Sequence, residues 1–394
     1  MSQPASPAHP PRDFSTLISD RAGAIDVSGI RRAFELGGQL DQPINLSIGQ
    51  PDFPVPEAIK KATIEAIEKD RNGYTLTRGA PELLDSVAKR LRQDVGWDLS
   101  SDDGIMHMIT SGTSGALLLA YLAVLNPGDE VIVPDPYFVV YPAIGEMVGA
   151  KTVYCETYPD FRMTAERIEG LITDRTRMVL INSPGNPTGV VLSNQELQEI
   201  IELCRKRGIL LVSDEIYDAF TYEESLEDGR FSTPARFGQD MLLVRGFGKT
   251  YGCTGWRMGY AAGPSAVIRQ MMKLQQYTFV CAPSMAQVGL AGAFEVDLGE
   301  HIRTYQSRRD RVVAAFGDVT DLVQPGGAFY AFVKVPARLG LSSEAFFMRA
   351  IDRNVIVIPG HVFSRRDTHF RLSYAAPDEQ LDRGLAILRE LMGG

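Results

Sequence analysis

The chain has 394 residues, 44% hydrophobic and 23% charged, which are ordinary values for a globular protein and exclude disorder over most of its length. A chain this long outgrows a single core, so two domains with a cleft between them are the default. Lys plus Arg number 40 against 49 Asp plus Glu, a net charge of −9 with no concentrated basic run, so a nucleic-acid backbone is not an expected partner.

No apolar run reaches the ~18 residues of a membrane helix, and the opening MSQPASPAHPPRDF has neither the basic nor the apolar stretch of a signal peptide. A cytoplasmic protein without membrane contact is expected. Cys155, Cys204, Cys253 and Cys281 form no CxxC pair and are expected as buried free thiols. None of the five His has metal-ligand spacing, so no metal site is expected.

In chain order, residues 1–13 are rich in Pro, Ser and Ala and read as a flexible extension. SDRAGAIDVSGIRRAFELGG has no strand partner nearby and is expected to pack against the C-terminal part. PELLDSVAKRLRQDV is helical by its three- and four-residue apolar spacing, and TSGTSGALLLAYLAVL opens a helix on small residues. The strand candidates EVIVPDP, AKTVYCE, RMVLINSP, ILLVSDE, MLLVRGF and RMGYAAG then follow. Among them lies the helix SNQELQEIIELCRKRG, which starts at a Ser cap and ends at Gly208.

Short runs apolar on both faces, alternating with helices, predict an α/β domain over residues 46–290, a mostly parallel sheet sandwiched by helices. After residue 290 come a long polar helix, HIRTYQSRRDRVVAAF, the short strands FYAFVKV, VIVIPG and FRLSYA, and a terminal helix. They predict a smaller α+β domain made of residues 14–45 with 291–394. No internal repeat is evident.

In parallel α/β sheets, ligands sit at the carboxyl ends of strands. There the sequence places Asn182 to Asn186, Asp214 with Tyr217, and Lys249. One cofactor uses an amide, an acid, a phenol and an amine together: pyridoxal phosphate takes a lysine for its Schiff base and an acid for its pyridine nitrogen. Its phosphate suits the start of the TSGTSGAL helix, with Gly112 and Thr113 as donors and Arg257 as a charged partner.

SIGQPDF, GYTLTRGAPELL, TSGTSGAL, DPYF, NSPGNPTG, SDEIYDAF, GKTYGCTGWRMGY and FRLSYA, in this order and spacing, resemble the class I and II aminotransferases, fold type I pyridoxal phosphate enzymes. The resemblance runs from about residue 14 to the end. It implies that Lys249 carries the cofactor and moves the proton between substrate Cα and cofactor, while Asp214 keeps the pyridine nitrogen protonated. Tyr217 and Asn186 would contact the ring oxygen, and Phe138 would stack on the ring, with Tyr137 as the alternative. Tyr74 resembles the residue that reaches the phosphate of a neighbouring subunit, which implies a homodimer with shared active sites. Arg371 would clamp the substrate α-carboxylate, helped by Gly49 and Asn186. Gly246 departs from the pattern, standing where many relatives carry a phosphate-binding serine.

Taken singly these residues have ordinary structural readings. Asp214 could cap a following helix, Asn186 could belong to a turn, Arg371 to an ion pair, and Phe138 and Tyr74 to plain packing. Glu215 points to the opposite side of its strand from Asp214 and is expected to be structural. The combined reading is an aminotransferase that works by a ping-pong cycle between an amino acid and a 2-oxo acid. A β-elimination lyase of the cystathionine or cysteine-S-conjugate type shares the cofactor residues, and a non-catalytic ligand-sensing domain is a remote alternative. Ser114 stands where some dual-specificity aspartate enzymes of the family carry a lysine for the side-chain carboxylate, and the apolar residues around the motifs favour a neutral or aromatic amino donor.

Overall fold

The computed structural model describes residues 13–27 and 29–393. The extension expected over residues 1–13 therefore lies outside the described residues except for the exposed Asp13. The strands in chain order are β1 (Ile44–Asn45), β2 (Ile105–Ser111), β3 (Glu130–Asp135), β4 (Lys151–Glu156), β5 (Thr176–Asn182) and β6 (Leu210–Asp214). They continue as β7 (Met241–Gly246), β8 (Met258–Pro264), β9 (Tyr330–Lys334), β10 (Val355–Ile356), β11 (Ile358–Pro359) and β12 (His369–Ser373).

A seven-stranded sheet runs in the order β2-β8-β7-β6-β5-β3-β4. Its pairings are parallel from β7 to β4, and β8 runs against both of its neighbours. Successive side chains point to opposite faces, so Met178, Leu180, Val212, Leu242 and Val244 enter one apolar layer. Val179, Ile181, Leu211, Met241 and Leu243 enter the other. Both faces are thus covered, which is why these strands read as unbroken apolar runs. The register sets Asn182 beside Asp214, and Asp214 beside Val244, so three strands end along one rim.

The helix Asn194–Arg207 shows how local sequence sets these bounds. Ser193 and Glu196 form a reciprocal capping box, and Gly208 ends the helix in the left-handed conformation at φ 67°. Toward the C-terminus, β11, β12 and β9 form an antiparallel sheet, and β1 pairs in parallel with β10. Ala33, Ile44 and Leu46 are buried in the same apolar core as Phe346, Val355 and Leu388, so the N-terminal segment is anchored to the C-terminal part.

Two features differ from the sequence reading. Ile105–Ser111 is a strand at the sheet edge that the apolar-run search did not single out. VIVIPG is two short strands in different sheets, because Val355–Ile356 is taken by β1 and Ile358–Pro359 by β12. Among the described residues no helix is long and apolar enough to cross a membrane.

Candidate active site

Asp214 ends β6 at 2% exposure. Its carboxylate accepts from Tyr141 Oη at 2.9 Å and from the Ile216 amide at 3.3 Å, and among the described residues it meets no basic side chain. Burial raises its pKa from 3.8 to about 6, against the pull of those two donors. Lys249 follows β7 on the short helix Phe247–Thr250, and its Nζ donates to the Gly49 carbonyl. Burial, then the nearby Arg371 and Arg257, lowers the amine from 10.5 to about 8. A buried acid and a buried amine thus face one cavity of about 370 Å³ without pairing with each other.

Arg371, on β12, is 1% exposed. Its Nη1 donates to Asn186 Oδ1 at 3.1 Å and its Nη2 to the Ser47 carbonyl at 2.9 Å, but its Nε has no partner. The guanidinium lies between the rings of Tyr330 and Phe363, each 4.5 Å from centroid to Cζ. Among the described residues no carboxylate neutralises it, and burial works against its charge. The rings hold the planar fork in place while leaving its charge for a ligand. Tyr330 also bonds Tyr217 through their hydroxyls at 3.1 Å, and a Cβ at Gly49 would come within 2.9 Å of the Tyr330 oxygen. Glycine at 49 therefore follows from the close approach of its backbone to this pair.

The opposite end of the cavity suits an anion. The helix Gly112–Val124 starts without a side-chain cap, leaving its first amides open. Gly112 has φ +70°, and a Cβ there would lie 2.9 Å from Arg257 Nη2. Among the described residues Arg257 bonds only the Thr254 carbonyl, at 3.1 Å, and no carboxylate. An uncapped helix start beside an unneutralised guanidinium is a phosphate-type site.

The sequence-singled residues Gly49, Gly112, Thr113, Phe138, Asn186, Asp214, Tyr217, Lys249, Arg257 and Arg371 all line this cavity. Tyr137 does not; it packs on Tyr154 with ring centroids 5.2 Å apart, leaving Phe138 as the aromatic wall. Tyr74 lies outside the cavity of its own chain and is 87% exposed. At Gly246 a Cβ would meet Ile216 Cδ1 at 2.6 Å and Thr113 Cγ2 at 3.0 Å, so a serine there requires these side chains to shift. Glu215 lies on the far side of β6, where it holds Arg245 at 2.9 Å.

Sequence reasoning missed Tyr141, Tyr330 and Phe363, and it placed Asn182 at a strand end without giving it a role. Asn182 carried a usable signal as the last residue of β5: its Nδ2 donates to the Asp214 carbonyl at 2.9 Å and its Oδ1 accepts from the Asn186 amide at 2.8 Å. Among the described residues no group of three or more His, Cys, Asp or Glu could hold a metal ion.

Residues 41–388 match the family of class I and II aminotransferases. The aromatic-amino-acid aminotransferase 2 of Thermococcus litoralis is 32% identical over 95% of this chain and 98% of its own length. The aspartate aminotransferase of Thermotoga maritima is 34% identical over 95% and 99%. The crystal structure of the aspartate aminotransferase from Rhizobium meliloti superposes with a TM-score of 0.86 at 31% identity, over 95% of this chain and 98% of that one. The chain belongs to the class I and II aminotransferases. It is an enzyme that transfers amino groups.

Proposed function

We propose that this enzyme uses pyridoxal 5′-phosphate to move the amino group of a neutral or aromatic L-amino acid to a 2-oxo acid. The observation that carries the reading is the unpaired set in one cavity: the raised carboxyl of Asp214, the depressed amine of Lys249 and the uncompensated guanidinium of Arg371. Buried charges without partners are costly, and this cofactor with an amino acid brings a partner for each. The uncapped helix start at Gly112 and Thr113, with Arg257, would take the phosphate.

When bound, the cofactor supplies an electron-withdrawing ring that makes the Cα–H bond of the amino acid acidic. Asp214, held by Tyr141, keeps a proton on the ring nitrogen through a charge-assisted hydrogen bond. Lys249, lowered by burial to about 8, has a neutral fraction at neutral pH that grows toward pH 9, and it moves the proton at substrate Cα. Asn186, whose Oδ1 is engaged by Arg371, has its Nδ2 left to donate to the ring oxygen, and the Tyr217 hydroxyl is a second donor. Phe138 is the wall on which the ring rests. Arg371, whose guanidinium lines the cavity and meets no carboxylate among the described residues, takes the α-carboxylate.

The preference for neutral or aromatic donors rests on the rest of the lining. Ile30, Ile48, Gln50 and Ser114 carry no charge, so this chain offers no further cation for a side-chain carboxylate. A homodimer is supported by the exposure of Tyr74, Leu76 and Tyr277, large apolar residues on two segments joined by the hydrogen bond from Gln275 Nε2 to the Thr77 carbonyl at 2.6 Å. Tyr74 would then reach the partner's phosphate. The division into a large domain over 46–290 and a small one of 14–45 with 291–394 belongs to the same proposal.

The test is a half-reaction on cofactor-loaded enzyme with single amino acids and no oxo acid acceptor. One equivalent of 2-oxo acid per chain from phenylalanine, tyrosine or leucine, with less from aspartate, is expected. Pyruvate and ammonia accumulating from cysteine-type substrates beyond one equivalent would replace transfer with elimination.

A further inference from the structure

A second cavity, of about 710 Å³, lies behind the lysine turn. Gly246, Phe247 and Thr250 form part of its wall, on the same short segment that carries Lys249 into the catalytic cavity, and no residue lines both spaces. Five arginines line it against three carboxylates, those of Asp94, Asp218 and Glu223. Two of the three acids are already engaged. Arg245, 2% exposed, is held by Asp94 at 2.9 Å and lies 3.5 Å from Asp218, with Glu215 behind it; Arg90 takes Asp94 at 2.8 Å.

Arg236 and Arg230 have no such partner. Arg236 Nε reaches only the Asp94 carbonyl, at 3.4 Å, and neither guanidinium forms an ion pair among the described residues. They lie close enough that Arg230 works against the charge on Arg236, which burial already disfavours and which Asp94 and Glu215 favour only in part. Two adjacent cations that repel each other at the edge of a cavity are stabilised by an anion that takes both. The wall beside them is apolar, with Phe231, Phe294, Val296, Leu298 and Ile302.

We propose that this cavity is a second, non-catalytic binding site for an organic anion with an aromatic or apolar body, its acid group held by Arg230 and Arg236 and its body against Phe231 and Phe294. The arginines that already have carboxylates extend the aromatic surface: Arg245 lies over the Phe231 ring at 5.8 Å and Arg90 over Phe294 at 5.8 Å. The inference stands on this cavity alone and holds whatever amino donor the catalytic site prefers.

The probe is 2-naphthoate, titrated calorimetrically into the cofactor-loaded enzyme, Arg230→Gln, and Arg230→Gln/Arg236→Gln. Beyond any binding at Arg371, which parent and variants share, the site predicts one saturable event per chain that weakens about tenfold for each guanidinium removed. Both variants keep the parent kcat and KM when no naphthoate is present. Isotherms that superimpose for parent and variants, or no saturable binding in the millimolar range, overturn the proposal. Arg230 is exposed, so Arg230→Gln decides the question even if the double variant fails to fold.

Discussion

Replacing Asp214 with Asn separates the cost of this carboxyl to the folded chain from its use in catalysis. In the cofactor-free protein the carboxyl is buried with two hydrogen-bond donors and no cation, and its pKa stands at about 6 instead of 3.8. At about 1.4 kcal/mol per tenfold change in proton affinity, that rise corresponds to about 3 kcal/mol. Because the folded pKa is raised, the favourable contribution is complete below 3.8, where the acid is protonated in both states, and is lost as pH rises through about 6. Asn cannot ionise, yet its carbonyl can still accept from Tyr141. Any penalty from its unpaired amide is independent of pH. Urea unfolding of cofactor-free parent and Asp214→Asn, at one fixed chain concentration, should show the variant gaining about 2 kcal/mol on the parent between about pH 4.5 and about pH 7.5. In the loaded enzyme the same change should cost turnover about 10²-fold or more, since the ring nitrogen loses its charged partner. A stability difference that stays constant across this range would refute the claim that Asp214 is a buried carboxylate without a cation.

Arg371→Lys loses the planar fork between Tyr330 and Phe363, and steady-state kinetics should give a kcat/KM lower by about 10- to 100-fold, mostly through KM. Gly246→Ser forces a Cβ against Ile216 and Thr113 and should lower unfolding stability by about 1–3 kcal/mol in denaturant titration, despite restoring the residue of many relatives. With Lys249 at about 8, the neutral amine grows about tenfold from about pH 7 to about pH 9. The rate at which cofactor-free protein gains visible absorbance with pyridoxal 5′-phosphate should rise by that factor and level off; a rate still climbing toward pH 10.5 would mean an unperturbed lysine.

The parts of the site that the sequence made legible were the ends of parallel strands. A run such as RMVLI or ILLVS is apolar because both faces are covered, so the first polar residues after it, Asn182 and Asp214, stand out at the rim. The Ser193 and Gly208 bounds were legible because capping is local chemistry. Tyr330, Phe363 and Tyr141 were not. FYAFVKV was readable as a strand, but only its pairing in the C-terminal sheet turns Tyr330 onto Arg371, 41 residues further along the chain. Phe363 follows a 3₁₀ turn at Gly360–Val362, and Tyr141 comes from the helix Val140–Val148; nothing local marks either aromatic among the many that only pack. The edge strand Ile105–Ser111 escaped notice because its apolar run is interrupted by His107, whose ring is buried and bonded to the Leu84 carbonyl at 2.9 Å.

The central claim is that Lys249 is the residue on which the cofactor chemistry takes place. The enzyme loaded with pyridoxal 5′-phosphate, reduced with borohydride and digested, should yield one pyridoxyl-bearing peptide containing Lys249 by mass spectrometry, and Lys249→Ala should yield none. A stable pyridoxyl label on a different lysine, or a parent enzyme that takes up no label, would contradict the account.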